Sequence, residues 1–281
     1  MGSAVAVVTD STAYLPPGVA ERYGLTVVPL RLAVDGASLD EGEITDTEAA
    51  KALQEWHPVT TSRPSPGRFA DAYNAAADAG ASEVVSIHLS AAMSGTVEAA
   101  RLAAGDAPVP VEVVDSGTVG MGLGFAALSA AATATSGGTG RQAADAALRR
   151  ARLTRTLLYV DTLEHLRRGG RIGAATTLLG SALMVKPLLD ITDGRIEPLE
   201  KVRTSTRALA RLEELAVTEA ADRRVDLGVQ HLGAPARAES LAARLRERIP
   251  RVQDVHVGEV GPVIGAHVGP GMLCVVVAPR L

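Results

Sequence analysis

Short apolar runs alternate along the chain with longer Ala-rich stretches of helical character. The first apolar run, Ala4 to Val8, stops at the polar sequence Thr9-Asp10-Ser11-Thr12. Apolar runs of this length between helical segments are typical of buried strands, so the pattern predicts an α/β fold. In the first half of the chain we predict strands at 4–8, 25–34, 83–89 and 109–114, and helices at 16–23, 45–56, 65–80, 95–104, 119–135 and 139–152.

A second unit begins with the apolar run Thr156 to Val160. Two predicted strands, 186–192 and 195–202, meet at Thr192-Asp193-Gly194, which is a hairpin turn signal. A hairpin joins antiparallel neighbours, so we expect a mixed sheet here and a parallel sheet in the first half. The further elements predicted in the second half are strands at 156–160, 225–231, 251–258 and 272–278, and helices at 162–168, 172–183, 204–222 and 235–248.

The domain boundary is predicted near residue 155, which gives an N-terminal domain, 1–155, and a C-terminal domain, 156–281. The chain has 281 residues, of which 47% are hydrophobic and 21% charged, as in folded proteins with one large or two medium domains. A net charge of −4 and 2% aromatic residues provide neither a basic footprint nor a stacking surface. Nucleic acid is therefore not expected as a partner.

Cys274 is the sole cysteine, which excludes an internal disulfide and a cysteine zinc site. It lies in an apolar run and is predicted to be a small buried core residue. The six His show no paired spacing of the H-x-x-x-H kind, so no metal is expected. With neither a signal peptide nor a long uncharged apolar run that would prefer lipid, we expect a cytoplasmic protein.

Three hydroxyl-bearing loops are candidate binding elements: Thr9 to Thr12, Thr60 to Pro66, and Ser90 to Thr96. Ligands of parallel α/β sheets meet the carboxyl ends of strands, and helix N-termini favour anions. The alternative for such loops is an ordinary helix or turn cap. A nucleophilic Ser94 would need a base, and His88 ends a predicted strand with no visible acid partner.

Two further constellations lie in the second half. Leu163 to Ile172 places two glycines between arginines, as either a solvated helix end or, together with Lys201 and Arg203, a docking patch for phosphate or an acidic partner. His267 is surrounded by Gly265, Gly269, Pro270 and Gly271, which fix an unusual backbone around it. A lone His is otherwise most often a structural residue.

Taken together, these motifs resemble those of the DegV family of bacterial fatty-acid-binding proteins, which includes the acyl-binding subunits of fatty acid kinase. The resemblance covers nearly the whole chain, in the family's order. Its motifs are Thr9-Asp10-Ser11, Thr61-Ser62-Arg63-Pro64-Ser65, Leu89-Ser90, Ser94-Gly95-Thr96, Val114-Asp115-Ser116, Leu163 through Gly169-Gly170-Arg171-Ile172, Lys186-Pro187 and His267-Val268-Gly269-Pro270-Gly271.

The resemblance implies a two-domain DegV-like fold, with a parallel-sheet α/β/α N-terminal domain that carries the head-group loops and a mixed-sheet α/β C-terminal domain that completes an acyl pocket. A long-chain fatty acid such as palmitate or oleate would lie between the domains. The ligand-binding residues it implies are Thr61, Ser62, Ser94, Gly95, Thr96 and His267, with Thr61 and Ser94 holding the carboxylate. We expect the tail to be lined by the helix at 119–132 and by Leu178, Leu179, Leu183, Met184 and Leu188.

The resemblance also implies a fatty acid kinase catalytic subunit that docks at Arg171 and Arg203. The protein would then be a non-catalytic carrier without a cofactor, presenting the carboxylate for phosphorylation and allowing transient contact with a membrane surface. Arg63 departs from the family, in which Gln is common at this position, and leaves the choice of acyl ligand open. Two alternatives remain: a serine-dependent acyl hydrolase or transferase using Ser94 and His267, and an interaction protein in which the lipid is structural.

Overall fold

The computed structural model of the protein describes residues 4–34, 37–43, 59–172 and 186–280. The helix predicted at 45–56 lies outside these ranges, as does nearly all of the helix predicted at 172–183. The predicted lining residues Leu178, Leu179, Leu183 and Met184 also lie outside them. Within the described ranges, no helix is both long and apolar enough to cross a lipid bilayer.

In chain order the described strands are β1 (Val5–Asp10), β2 (Leu25–Val28), β3 (Arg31–Val34), β4 (Ala37–Asp40), β5 (Val59–Ser62), β6 (Glu83–His88), β7 (Val111–Asp115), β8 (Arg155–Tyr159), β9 (Lys186–Thr192), β10 (Arg195–Val202), β11 (Val225–His231), β12 (Val252–Glu259) and β13 (Leu273–Pro279). The described α-helices are α1 (Val19–Arg22), α2 (Pro66–Asp78), α3 (Thr96–Ala104), α4 (Met121–Thr135), α5 (Gly140–Leu153), α6 (Glu164–Gly169), α7 (Ser205–Ala220), α8 (Pro235–Arg248) and α9 (Pro262–Val268).

The chain forms two compact units. The N-terminal unit comprises Met1–Arg31 and Ser62–Leu153, and the C-terminal unit comprises Leu32–Thr61 and Thr154–Leu281. The predicted boundary at 155 lies beside the crossing at Leu153, but the early segment Leu32–Thr61 groups with the C-terminal unit. That the head-group loops and the acyl pocket divide between the two predicted domains stays a prediction.

A parallel sheet of order β2-β1-β6-β7 forms the centre of the N-terminal unit. Consecutive residues of β1 and β6 are buried, so both faces of the sheet are covered. On one face, apolar side chains of α2 and α3 pack against the strands: Phe69, Tyr73, Ala99, Ala100 and Ala103 against Val8, Val28 and Val84. Helices α4 and α5 pack against each other and also contact strands of this sheet. The predicted parallel α/β unit is confirmed.

The C-terminal unit contains a mixed sheet of order β10-β9-β8-β13-β11-β12, in which β11 and β12 are parallel and the other neighbours antiparallel. The hairpin predicted at Thr192-Asp193-Gly194 is confirmed, with Arg195 opposite Thr192. Asp193 and Gly194 both have positive φ, which the turn between the strands requires. Strand β13 is buried throughout, Cys274 included, as predicted for this apolar run.

The main departures from the prediction lie between residues 25 and 62. The single strand predicted at 25–34 is two strands, because Pro29 has no N–H to continue a ladder. Strand β2 then belongs to the parallel sheet, whereas β3 forms a separate sheet of order β4-β3-β5. Thr60–Ser62, predicted as a loop, lies in β5. Helix α9 was not predicted; it begins at Pro262 and ends before Gly269, whose φ is 75°.

Candidate functional site

Thr61 and His267 form a direct contact within the C-terminal unit. Strand β5 presents Thr61, helix α9 presents His267, and the Thr61 Oγ1 and His267 Nε2 atoms are 2.8 Å apart. Both side chains are half-buried. Two residues that the sequence analysis singled out separately, 206 positions apart, are therefore hydrogen-bond partners.

A carboxylate that was not predicted fixes the start of α9. The backbone N–H of Val263 donates to Glu41 Oε1 at 2.9 Å, and Glu41 directly follows β4. Helix N-termini have free N–H groups and favour negative charge, so Glu41 satisfies one of these donors. Glu41 thus contacts α9 near the start of this helix, and Thr61 contacts it near the end of the helix.

Burial and a nearby cation keep the His267 imidazole neutral. Desolvation, the larger cause, and the positive charge of Arg171 together lower the pKa of His267 from its ordinary 6.5 to about 4. Its second ring nitrogen, Nδ1, is buried and has no hydrogen-bond partner in the described part of the chain. Neutral pH therefore leaves an uncharged ring beside the Thr61 hydroxyl.

Two glycines make room for two histidines where α6 packs against α9. His165 and Gly169 belong to α6, whereas His267 belongs to α9 and Gly269 directly follows it. A Cβ atom at Gly169 would overlap the imidazole of His267, and a Cβ atom at Gly269 would overlap that of His165. His165 itself is buried, and desolvation lowers its pKa. Glycine is thus required at 169 for steric reasons, and at 269 both for space and for a positive φ.

Ser94, Gly95 and Thr96 belong to the N-terminal unit, at the start of α3. The Ser94 hydroxyl lies 2.9 Å from the Thr96 hydroxyl, and the Ser94 N–H donates to the Ser90 carbonyl at 3.1 Å. Ser62, at the end of β5, is exposed.

Arg63 lies across the same turn. Its Nη1 donates to the Gly95 carbonyl at 3.2 Å and to Glu98 Oε2 at 2.8 Å. The side chains of Arg63 and Glu98 are 44% and 71% exposed, so this ion pair lies at the surface. The extra positive charge predicted beside the head-group loop is therefore matched by a carboxylate.

The absence of an acid partner for His88, expected from the sequence, is wrong. His88 Nδ1 lies 3.1 Å from Asp10 Oδ2, and His88 Nε2 lies 2.7 Å from Ser86 Oγ, which also accepts from the Tyr73 hydroxyl. This is the order of a Ser–His–Asp triad, but all four side chains are 0% exposed. Burial raises the pKa of Tyr73 to about 12. A substrate cannot reach Ser86, so the chain of hydrogen bonds is structural.

The two predicted docking residues, Arg171 and Arg203, are both exposed. Arg171 donates to the Gly169 carbonyl at 2.5 Å, beside His267. Its neighbour Ile172 bridges to Ile196 near the start of β10, whereas Arg203 follows the other end of that strand. At about 3.3 Å per residue the two arginines are roughly 20 Å apart along the strand.

Other reactive groups are scarce in the described ranges. No group of three or more His, Cys, Asp or Glu side chains there is arranged to hold a metal ion. Burial raises the pKa of the Cys274 thiol to about 12, so this cysteine is not a nucleophile at neutral pH.

Two α/β units, one of which brings a hydroxyl and a neutral imidazole together, match a known family. The family model described as "Uncharacterised protein, DegV family" matches residues 4–280, and the chain belongs to the DegV family. A DegV domain-containing protein of Streptomyces coelicolor is 58% identical over 281 residues, 100% of both chains.

Solved structures of relatives share the fold over the whole chain. A DegV family protein from Thermus thermophilus, described with its fatty acid binding, is 34% identical, with a TM-score of 0.90 and 100% of both chains covered. DegV from Bacillus subtilis, described as a fatty acid binding protein, is 30% identical, with a TM-score of 0.91 over 99% of this chain and 100% of that chain.

Proposed function

We propose that this protein binds a long-chain fatty acid, such as palmitate or oleate, and presents its carboxylate to the catalytic subunit of a fatty acid kinase. It would do so as a non-catalytic carrier without a cofactor. The observation that carries the proposal is the 2.8 Å contact between Thr61 and His267. The fatty acid binding described for the relatives from Thermus thermophilus and Bacillus subtilis supports the ligand class.

The chemistry of the pair suits a carboxylate that is held and not attacked. A buried N–H without a partner is costlier than a buried lone pair, so the proton of neutral His267 belongs on Nε2, leaving a lone pair on Nδ1. Nε2–H then donates to Thr61 Oγ1, and the hydroxyl hydrogen of Thr61 is free to donate to the ligand. We propose Ser94 as a second donor, with Ser62, Gly95 and Thr96 completing the head-group contacts.

The acyl chain supplies most of the affinity. Each buried methylene contributes about 0.8 kcal/mol, so about 14 methylenes supply on the order of 11 kcal/mol before association costs. A carboxylate that leaves water must be hydrogen-bonded, or part of that gain is lost. The head-group residues therefore select for a carboxylate, while the tail determines retention.

The proposed docking face is marked by Arg171 and Arg203. Two exposed arginines roughly 20 Å apart are too distant to share one phosphate, and this spacing favours an acidic protein surface. Such a partner uses ATP, so the proposal includes a cytoplasmic location, with transient contact with a membrane surface during ligand exchange. Charge reversal at both arginines should abolish phosphorylation of the bound fatty acid by the kinase subunit while palmitate binding persists.

Titration of palmitate into delipidated protein tests the ligand. Thr61→Val removes the hydroxyl at constant shape, and the exposed neighbour Thr60→Val is the matched control. A hydrogen bond to a charged group contributes about 1.5–3 kcal/mol, so we expect Thr61→Val to bind at least about tenfold more weakly and Thr60→Val to bind normally. Equal affinity of Thr61→Val and the unmodified protein would refute the head-group assignment.

A further inference from the structure

Two acidic motifs, Thr9-Asp10-Ser11 and Val114-Asp115-Ser116, have no role in the proposed carboxylate contacts. Asp10 is the last residue of β1 and Asp115 the last of β7, and these two strands flank β6 in the parallel sheet. Because parallel strands bring their carboxyl ends to one edge of a sheet, both motifs lie at the edge where β6 ends. The segment that leaves β6 there runs to Ser94. We propose that Asp10 and Asp115 are positioning residues that hold this segment, so that Ser94 faces the ligand; the inference rests on the proposed function.

Asp10 fixes the start of the segment from inside the core. Its Oδ2 accepts the backbone N–H of Leu89 at 2.9 Å in addition to the His88 contact. Its Oδ1 accepts both the backbone N–H of Thr12, at 3.0 Å, and the Thr12 hydroxyl. The Asp10 side chain is fully buried, and these donors satisfy a carboxylate that accepts only. It therefore joins the turn after β1 to the segment after β6.

Asp115 holds the next turn of the segment from the other side. Its Oδ1 accepts the N–H of Ala91 at 3.2 Å and that of Gly117 at 2.9 Å. Between the two carboxylates, the Ser90 N–H donates to the Thr118 carbonyl at 2.9 Å. Three successive N–H groups, at 89, 90 and 91, are thus fixed by the strands or turns on either side of β6.

From Ser90 the segment continues through a single turn to Ser94. The Ser90 carbonyl accepts the N–H groups of Met93 at 3.0 Å and Ser94 at 3.1 Å, which closes the turn that places the Ser94 hydroxyl beside Thr96. A loop held in its binding conformation loses less conformational entropy when a ligand arrives. Asp10 and Asp115 would accordingly raise affinity without touching the fatty acid.

Asp115 gives the clean test, because it is only half-buried. Asp115→Ala removes both accepted hydrogen bonds, whereas Asp115→Asn keeps an amide oxygen that can replace Oδ1. We expect Asp115→Ala to weaken palmitate binding about fivefold, Asp115→Asn to restore most of it, and the exposed control Asp106→Ala to have no effect. In a Ser94→Ala background, Asp115→Ala should change the affinity less than about twofold.

Equal losses from Asp115→Ala with and without the Ser94 hydroxyl would overturn the proposal. Amide hydrogen exchange in ligand-free protein provides an arm that does not need binding: Asp115→Ala should accelerate exchange at Ala91, Met93 and Ser94 but not in β13. Unchanged exchange there would also overturn it. If the unmodified protein bound no palmitate, the proposed function would fail. The hydrogen-exchange measurement would still test whether Asp115 holds the segment from β6 to Ser94. Asp10→Asn would place an amide NH2 group against the buried donors that now face the Asp10 carboxylate. The folding of this variant must therefore be verified by thermal unfolding before its hydrogen exchange is compared.

Discussion

The depressed pKa of His267 predicts a specific dependence of stability on pH. The unfolded chain binds a proton at this residue below pH 6.5, whereas the folded chain resists protonation down to about pH 4. Between these values the unfolded state holds more protons, so the free energy of unfolding falls as the pH decreases. The contribution of neutral His267 to the free energy of unfolding is fully present above pH 6.5 and is lost as the pH falls toward 4.

The size of the effect follows from the same two values. At about 1.4 kcal/mol per pH unit, the interval from 6.5 to about 4 corresponds to a loss of about 3 kcal/mol from this one residue. Other groups titrate in the same range, so the measurement must be a difference between two proteins. His267→Gln is the suitable variant, since its amide can still donate to Thr61 but does not titrate.

Urea unfolding of delipidated protein at pH 7, 6, 5 and 4 gives the required comparison. We expect the unmodified protein to lose about 3 kcal/mol more than His267→Gln across this range, with the difference developing below about pH 6.5. Parallel pH profiles for the two proteins would show that His267 has the same pKa in the folded and unfolded states. The depression of its pKa by burial beside Thr61 would then be refuted.

Three further outcomes follow from the described contacts. Glu41→Ala should accelerate amide exchange in α9 and lower the free energy of unfolding by about 1 kcal/mol, whereas Glu41→Gln retains an acceptor; unchanged exchange in Glu41→Ala would contradict the cap. Gly169→Ala should displace His267 and weaken palmitate binding, while Gly258→Ala, where a methyl group meets open space, should not; equal affinities would contradict the steric argument. Cys274 should react with a thiol reagent only after unfolding in urea, and rapid reaction of the native protein would contradict its burial.

The regular parts of both units could be predicted from the sequence because local pattern and tertiary environment agree there. Strand β6, predicted at 83–89, is a run of buried residues, and the hairpin at 192–194 has the residues that its positive φ angles require. The strands β4 and β5, and the division of the predicted strand 25–34 into β2 and β3, could not be predicted this way. Each of these strands has four residues, and pairing partners from distant sequence determine whether such short segments become strands.

The candidate site was predictable as a set of residue types but not as a set of contacts. Hydroxyl loops and a glycine-flanked histidine are visible in the sequence, and Thr61 and His267 were both singled out. Glu41 was missed because its partner, the N–H of Val263, is 222 positions away and belongs to a seven-residue helix. The only local hint was the Pro262 that begins this helix, since proline favours the first helical turn.

Arg63 shows why the charge of a motif is a poor guide to its ligand. The sequence places a cation next to Thr61 and Ser62, which suggests a direct electrostatic partner for an anion. In the structure its guanidinium is engaged by Glu98 and by the Gly95 carbonyl, so the cation is balanced before any ligand arrives. Because exposed ion pairs of this kind contribute little to stability, the contact matters chiefly by where it lies, across the turn that carries Ser94. We therefore expect Arg63 to act on the shape of this turn, and the proposed neutral donors to be the groups that distinguish a carboxylate.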